Sequence, residues 1–409
     1  MPEVSIEAAD LAKLLAGLEP IGCAAGATTR LAWTPEHEAA AGWFAETAAG
    51  VGMRTERDPA GNLWACPEAP APWWAVGSHL DSVREGGRYD GALGVVAGFA
   101  IAASSEVPLA VVSFADEEGA RFNTPTFGSR ALAGILDPGD VLGRVDEHGV
   151  TLADAMRYGG VDPAGLGEAP SWLGRLRGML ELHIDQSRDV AEQGVPVAVV
   201  EGLAARMRVE VELRGSADHA GTTRRTLRRD ALLATARLIV RADEVAGADM
   251  TAGAGRILVE PNAPTTVPAF VRLWLDARAP RPAELDAWRE RLLAAAEELQ
   301  RSTGVEVEAR VASINRGTSF DPEVKRALAH AAERTGLDAP EVVCFAGHDA
   351  GVIARRRPTG MVLVRNEAGV SHAPGEDVSL EDAATAARIV QSAVEALAAR
   401  AEPAEPASG

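Results

Sequence analysis

The sequence predicts an α/β protein: a mixed sheet with helices on both faces, interrupted by an inserted α+β domain of ferredoxin-like order. Three observations carry this. Short apolar runs alternate with helical stretches in the first half of the chain. After about Val200 the pattern changes to polar–apolar alternation. Histidine- and carboxylate-bearing turns then resume at His348 and His372, so the second pattern sits inside the first. A chain of 409 residues also exceeds one ordinary core and agrees with two domains. The expected division is 1–204 and 316–400 for the interrupted domain and 205–315 for the insert, with 401–409 a disordered Pro/Glu/Ala/Ser-rich tail.

The elements follow in order. A helical pattern opens over Ala8–Leu18, and Thr34 followed by Pro35 and Glu36 reads as the capped start of a second helix, Pro35–Gly50. Trp73–Gly77, Leu109–Ala115 and Met179–Ile184 are apolar runs of strand length, with a small-residue helix, Gly94–Ala103, between the first two. Such runs point to a sheet buried beneath helices. Met207–Leu213 then alternates as a half-buried strand does. Helix Arg229–Glu244, strands Arg256–Glu260 and Ala269–Asp276, helix Pro280–Gln300 and strand Val305–Val311 complete a β-α-β-β-α-β unit. Helix Glu323–Thr335, strand Met361–Val364 and helix Ser379–Arg400 close the first domain.

Composition narrows the function classes. Hydrophobic content is 47%, and the net charge of -19 argues against nucleic acid or an anionic membrane as partner. Cys23, Cys66 and Cys344 are too few and too far apart for a disulfide framework or a Cys-type metal site. No export signal or membrane span is visible, so the cytoplasm is expected.

Five clusters carry the chemistry: His79-Leu80-Asp81, Tyr89-Asp90-Gly91, Asp116-Glu117-Glu118, Leu182-His183-Ile184-Asp185 and Ser371-His372-Ala373. Three imidazoles with several carboxylates make a ligand set for zinc, manganese, cobalt or nickel. At a strand end, residues i and i+2 face the same way, so the Asp81 carboxylate is expected to accept from the far nitrogen of His79. Glycines beside Asp90 let a turn bring it to the ions, where it could bridge two of them. Adjacent glutamates point apart, so one can bind metal while the other takes a proton from metal-bound water. Glu181, His183 and Asp185 alternate onto one face. His37, His148 and His330 lack supporting neighbours and are expected at the surface or in loops.

These runs, together with Glu117-Glu118-Gly119-Ala120-Arg121-Phe122, His219-Ala220-Gly221-Thr222-Thr223, Gly347-His348-Asp349-Ala350 and Gly369-Val370-Ser371-His372, closely resemble the M20-type metallo-amidohydrolases. The nearest branch is that of allantoate amidohydrolase and N-carbamoyl-L-amino-acid hydrolase, β-ureidopropionase included. The resemblance implies two divalent ions bridged by Asp90, one held by His79 and His183, the other by Glu118 and His372. It implies attack by a metal-bound hydroxide on a linear amide or ureido group, with Glu117 as general base. Gln186, Thr265 and His348 would contact substrate, and Arg278 would clamp its carboxylate. His219 would stabilise the oxyanion of the partner subunit's site, which requires a homodimer.

The chain departs from the family pattern at Arg224-Arg225 after the His219 motif, at Thr265 where Asn is usual, at Arg365-Asn366, and at Asp185-Gln186-Ser187. These departures are expected in the substrate-binding shell, with the arginines either selecting a more negative substrate or standing as surface residues. Rival readings are an aminoacylase or dipeptidase of the same superfamily, a specialised-pathway enzyme using the ions as Lewis acids, and a catalytically silent scaffold.

Overall fold

The computed structural model describes residues 6–400; the tail expected at 401–409 lies outside them. The chain divides into two compact units. One takes the chain through Gly202, then Ser319–Val342 and the stretch from Ala346. The other takes Leu203–Thr318 together with Val343–Phe345.

The first unit is built on a mixed sheet. Its four central strands run parallel in the order Thr359–Val364, Leu176–Ile184, Trp73–His79 and Leu109–Phe114. All but one of their residues are buried, because helices lie over them. Helix Ala92–Ser104 has an apolar surface on every side and is buried from Ala92 through Ile101, packing with Phe44, Val76 and Ile389 in one core. Antiparallel strands finish the sheet, Val197–Leu203 on one side and the hairpin Arg54–Arg57/Leu63–Cys66 on the other. Neither was expected: Val197–Leu203 lies outside the runs read as strands, and the two hairpin strands have only four residues each. The 3₁₀ stretch Pro163–Arg175 also escaped the sequence, since Pro170 interrupts its periodicity.

The second unit is an antiparallel sheet in the order Thr251–Glu260, Phe270–Ala279, Ala205–Arg214, Glu306–Asn315. Helices Ala231–Glu244 and Pro282–Thr303 cover one face. Strict alternation along Phe270–Ala279 buries Val271, Leu273, Leu275 and Ala277 against Leu238, Trp288 and Leu292, and turns Arg272, Trp274, Asp276 and Arg278 to the other face. Asp230 caps the first helix by accepting from the Leu233 N–H at 2.9 Å. Among the described residues no helix is long and apolar enough to cross a membrane.

Candidate metal centre

Parallel strands deliver their carboxyl ends to one edge, where ligand-bearing turns collect. His79 ends strand Trp73–His79, and His183 stands next to last in Leu176–Ile184. Leu109–Phe114 runs into Asp116-Glu117-Glu118, and Thr359–Val364 leads through a turn to His372. Asp90 lies just before the helix beginning at Ala92. Gly91 makes that approach possible: its φ is +66°, and a Cβ there would stand 2.4 Å from the His79 ring. Asp116 also adopts a left-handed φ of 52°, which turns the two glutamates away from the strand direction.

The donor atoms converge. Asp90 Oδ1 is 3.2 Å from His183 Nε2 and 3.8 Å from His79 Nε2. Its other oxygen, Oδ2, is 3.4 Å from His372 Nε2, which is 3.5 Å from Glu118 Oε2. Ligands ~2.1 Å from a tetrahedral ion stand roughly 3.4 Å apart, so these separations fit first-coordination spheres. His79, Asp90 and His183 form one group and Asp90, Glu118 and His372 another, with Asp90 common to both. Glu117 Oε2 lies 3.9 Å from His79 Nε2, and Glu118 Oε1 is buried without a hydrogen-bond partner. The residues present therefore fit a pair of divalent cations.

The imidazoles are preset for this. His79 Nδ1 donates to the Asp81 main-chain carbonyl and His183 Nδ1 to that of Ile184, both at 2.9 Å. A carbonyl can only accept, so each Nδ1 carries the proton and each Nε2 presents its lone pair. The expected carboxylate partner for His79 is thus replaced by backbone. Asp81 Oδ1 stands 3.8 Å from Nδ1, and its two oxygens instead accept the Glu117 and Glu118 N–H groups at 3.1 Å. Asp81 orients the pair of glutamates rather than the histidine.

Negative charge is in excess. Burial, then Asp349 and Glu118, push the Glu117 carboxyl well above its ordinary value. Burial and Asp90 push Glu118 up to about 10. Burial opposes protonation of His183, but its hydrogen bond to Asp90 prevails and carries it up to about 9. Carboxyls that hold protons beside the protonated His183 are what crowded anions do without cations; divalent ions relieve the same crowding.

Around this centre, Gln186 Nε2 donates to both Asp90 oxygens, at 3.3 and 3.2 Å. The His348 ring packs on that of His183 with centroids 4.4 Å apart, and both its nitrogens are buried without partners. Burial and the neighbouring His183 hold it well below the ordinary imidazole value, hence neutral. Asp349 is fully buried and accepts from Ser129, while Glu181 accepts from Ser78 Oγ at 2.6 Å and the Ala350 N–H at 2.8 Å.

Two braces escaped the sequence. Asn62 Oδ1 accepts the Ala115 N–H at 2.9 Å while its amide reaches Asp58 and the Gly128 carbonyl, so a hairpin turn steadies the glutamate loop. Its signal was the turn run Asp58-Pro59-Ala60-Gly61-Asn62. Glu376, 3% exposed, accepts the Asp90 N–H at 2.9 Å. Its only signal was an acid four residues beyond His372.

The remaining candidates lie in the second unit. His219 is exposed on the short strand Asp218–His219, paired with Thr266. Its Nδ1 accepts the Gly221 and Thr222 N–H groups at 3.0 and 3.2 Å, so the neutral ring offers an Nε2–H donor. Thr265 is beside it, its carbonyl accepting from the Ala220 N–H at 2.8 Å. Arg278 is elsewhere, donating to the Phe345 carbonyl at 2.6 Å and pairing with Asp276 at 3.2 Å. His219 and Arg278 belong to different sheets: Arg278 pairs with Arg206 in the four-stranded sheet, His219 with Thr266 in a separate two-stranded one.

Several expectations are corrected. Arg365 forks onto Asp382 at 3.0 and 2.9 Å, and fully buried Asn366 donates to the Asp185 and Val370 carbonyls at 3.0 and 2.8 Å. Both are structural braces, not substrate contacts. Asp185 is spent on its own turn, accepting from Ser187 and the Val190 N–H. Arg224 and Arg225 stay exposed in the turn after His219. His37 is not a surface residue: it is buried at the first turn of its helix, where Nδ1 accepts the Trp33 N–H at 3.2 Å.

The chain is 35% identical over 385 residues to the N-carbamoyl-L-amino acid amidohydrolase of Geobacillus stearothermophilus, covering 91% of this chain and 94% of that one. It is 31% identical over 368 residues to the allantoate amidohydrolase of Bacillus subtilis, covering 87% and 89%. A crystal structure of a hydantoinase/carbamoylase family amidase from Burkholderia multivorans superposes with a TM-score of 0.86 at 28% identity, covering 97% of this chain and 98% of that one. The family model for peptidase family M20/M25/M40 matches residues 75–396. With its sheet-edge cluster of imidazoles and carboxylates, this chain belongs to peptidase family M20/M25/M40.

Proposed function

We propose that the protein hydrolyses a linear C–N bond in a small carboxylate-bearing substrate, an N-carbamoyl (ureido) amino acid or an allantoate-like compound, using two divalent cations per subunit. The single observation that carries the reading is Asp90, whose two oxygens divide between His183 and His79 on one side and His372 on the other. Asp90 with His79 and His183 would hold one cation, and Asp90 with Glu118 and His372 the other. When bound, the cations supply Lewis acidity toward the carbonyl and acidify the attacking water.

The chain's own residues do the rest. Glu117 Oε2 takes a proton from the water as its oxygen bonds to the substrate carbon, and returns a proton to the leaving nitrogen as the C–N bond breaks. Its burial keeps bulk water from competing for that proton. Asp81 holds the Glu117 and Glu118 main chain in register. Gln186 and His348, which flank the metal centre, would contact the substrate, and a guanidinium such as that of Arg278 matches a carboxylate.

The Nε2–H of His219 would donate to the developing oxyanion across a homodimer, each subunit completing the other's site. The exposure of His219 on a two-stranded sheet of its own, apart from the sheet that carries Arg278, supports this. So does the edge strand Thr251–Glu260, whose Ile257 and Leu258 are each 43% exposed where another strand could pair.

The test is an activity screen with added zinc, manganese or cobalt across carbamoyl, acyl and peptidyl amino acids and allantoate, reading ammonia and free amine separately. Ureido substrates release ammonia. Turnover of acyl or peptidyl compounds that yields amine alone would place the enzyme with the aminoacylases and dipeptidases instead.

A further inference from the structure

We propose that Glu376 is a positioning residue that sets the spacing of the metal centre by tying the main chain of Asp90 to the loop that carries His372. The inference rests on the metal centre proposed above and adds a residue outside its ligand set. Glu376 Oε1 accepts the Asp90 N–H at 2.9 Å, across 286 residues of sequence. Its other oxygen, Oε2, is buried without a hydrogen-bond partner. Asp90 is the residue shared by both ligand groups, and His372, four residues before Glu376, belongs to the second. One buried side chain on the His372 loop therefore holds the backbone of the bridge.

That grip answers a local need. His372 carries a left-handed φ of 55° in a turn whose ring is half exposed, so its own packing does little to hold it. Asp90 precedes another left-handed residue, Gly91. Two ligand-bearing loops, one strained at His372, meet at a single carboxylate that is 3% exposed. Gly87 is shaped to admit it: a Cβ at that position would lie 2.3 Å from Oε1 and 2.6 Å from the Glu376 Cβ. The Glu376 N–H bonds back to the Ala373 carbonyl at 3.1 Å, so the side chain springs from a closed turn. A charged carboxylate is the stronger acceptor for the Asp90 N–H, whereas an amide accepts more weakly and can turn its NH₂ toward that donor.

The experiment compares wild type with Glu376→Gln and Gly87→Ala. Gln removes the charge at constant size, and the alanine methyl displaces the carboxylate without removing it. Zinc affinity is read by competition with a chromophoric chelator, site geometry by the visible spectrum of the cobalt-loaded protein, and the fold by thermal unfolding of the metal-free forms. Both variants should bind one of the two zinc ions ~10–100-fold more weakly, as losses of residues supporting ligands do. Their cobalt spectra should change in the same direction, with metal-free unfolding close to wild type. Wild-type zinc affinity and cobalt spectra in both variants would overturn the assignment, and so would a loss of metal-free stability with zinc affinity intact. Should Glu376→Gln fail to fold, Gly87→Ala decides alone. A wild-type protein that binds no zinc at all would instead remove the proposed metal centre.

Discussion

Replacing Glu117 by Gln tests the base directly. The side chain is 7% exposed, its Oε2 is 3.9 Å from His79 Nε2, and its N–H is held by Asp81 at 3.1 Å. Gln keeps that main-chain bond and nearly the same volume, so the loop should stay in place. It also removes a carboxyl crowded by Asp349 and Glu118, so metal-free stability should hold or rise. What it cannot do is take a proton. General-base groups contribute ~10²–10⁴ in rate, or roughly 3–5 kcal/mol of transition-state stabilisation. With so little solvent at Glu117, no outside base can replace it, so kcat should fall toward the far end of that range with KM little changed. The assay is steady-state ammonia release beside metal analysis of the same samples. Turnover near that of wild type, in a variant that still carries its full complement of metal, would refute the assignment.

Further outcomes follow from the same geometry. Mixing inactive Glu117→Ala with inactive His219→Ala under proven subunit exchange should restore about a quarter of wild-type activity, since half the dimers are mixed and each has one intact site. No recovery would count against trans-completion. Arg278→Lys keeps the charge but loses the fork, so KM should rise roughly tenfold or more with kcat less affected; an unchanged KM would move the carboxylate clamp elsewhere. Chelation should abolish turnover and lower the unfolding temperature, because an ion at 100 times its Kd stabilises the fold by about 2.7 kcal/mol. Activity that survives exhaustive dialysis against chelator, with metal absence verified, would contradict the proposed chemistry.

Sequence reading recovered what repeats locally and lost what closes at a distance. Apolar runs located the central strands to within three residues at each end, since full burial leaves an unbroken pattern. Alternation located Ala205–Arg214 and Phe270–Ala279 because only one face of that sheet is covered. The short hairpin at Arg54–Cys66 carries too few residues for a period; Leu63–Cys66 pairs with Leu109–Phe114, and Arg54–Arg57 pairs in turn with Leu63–Cys66. His37 looked superficial because nothing near it in sequence announces Trp33 as its donor.

The types of ligand, the order in which they occur, and the presence of an inserted unit are properties of the sequence by itself, because residue chemistry and periodicity are local. Tertiary structure decided which atom of Asp81 meets His79, that Arg365 and Asn366 serve as braces, and that Glu376 reaches Asp90. Asp81 is drawn to N–H groups 36 and 37 residues away, and Asn366 and Glu376 bind partners 181 and 286 residues away. Such contacts are set only when strands pair and turns close, which no local pattern encodes.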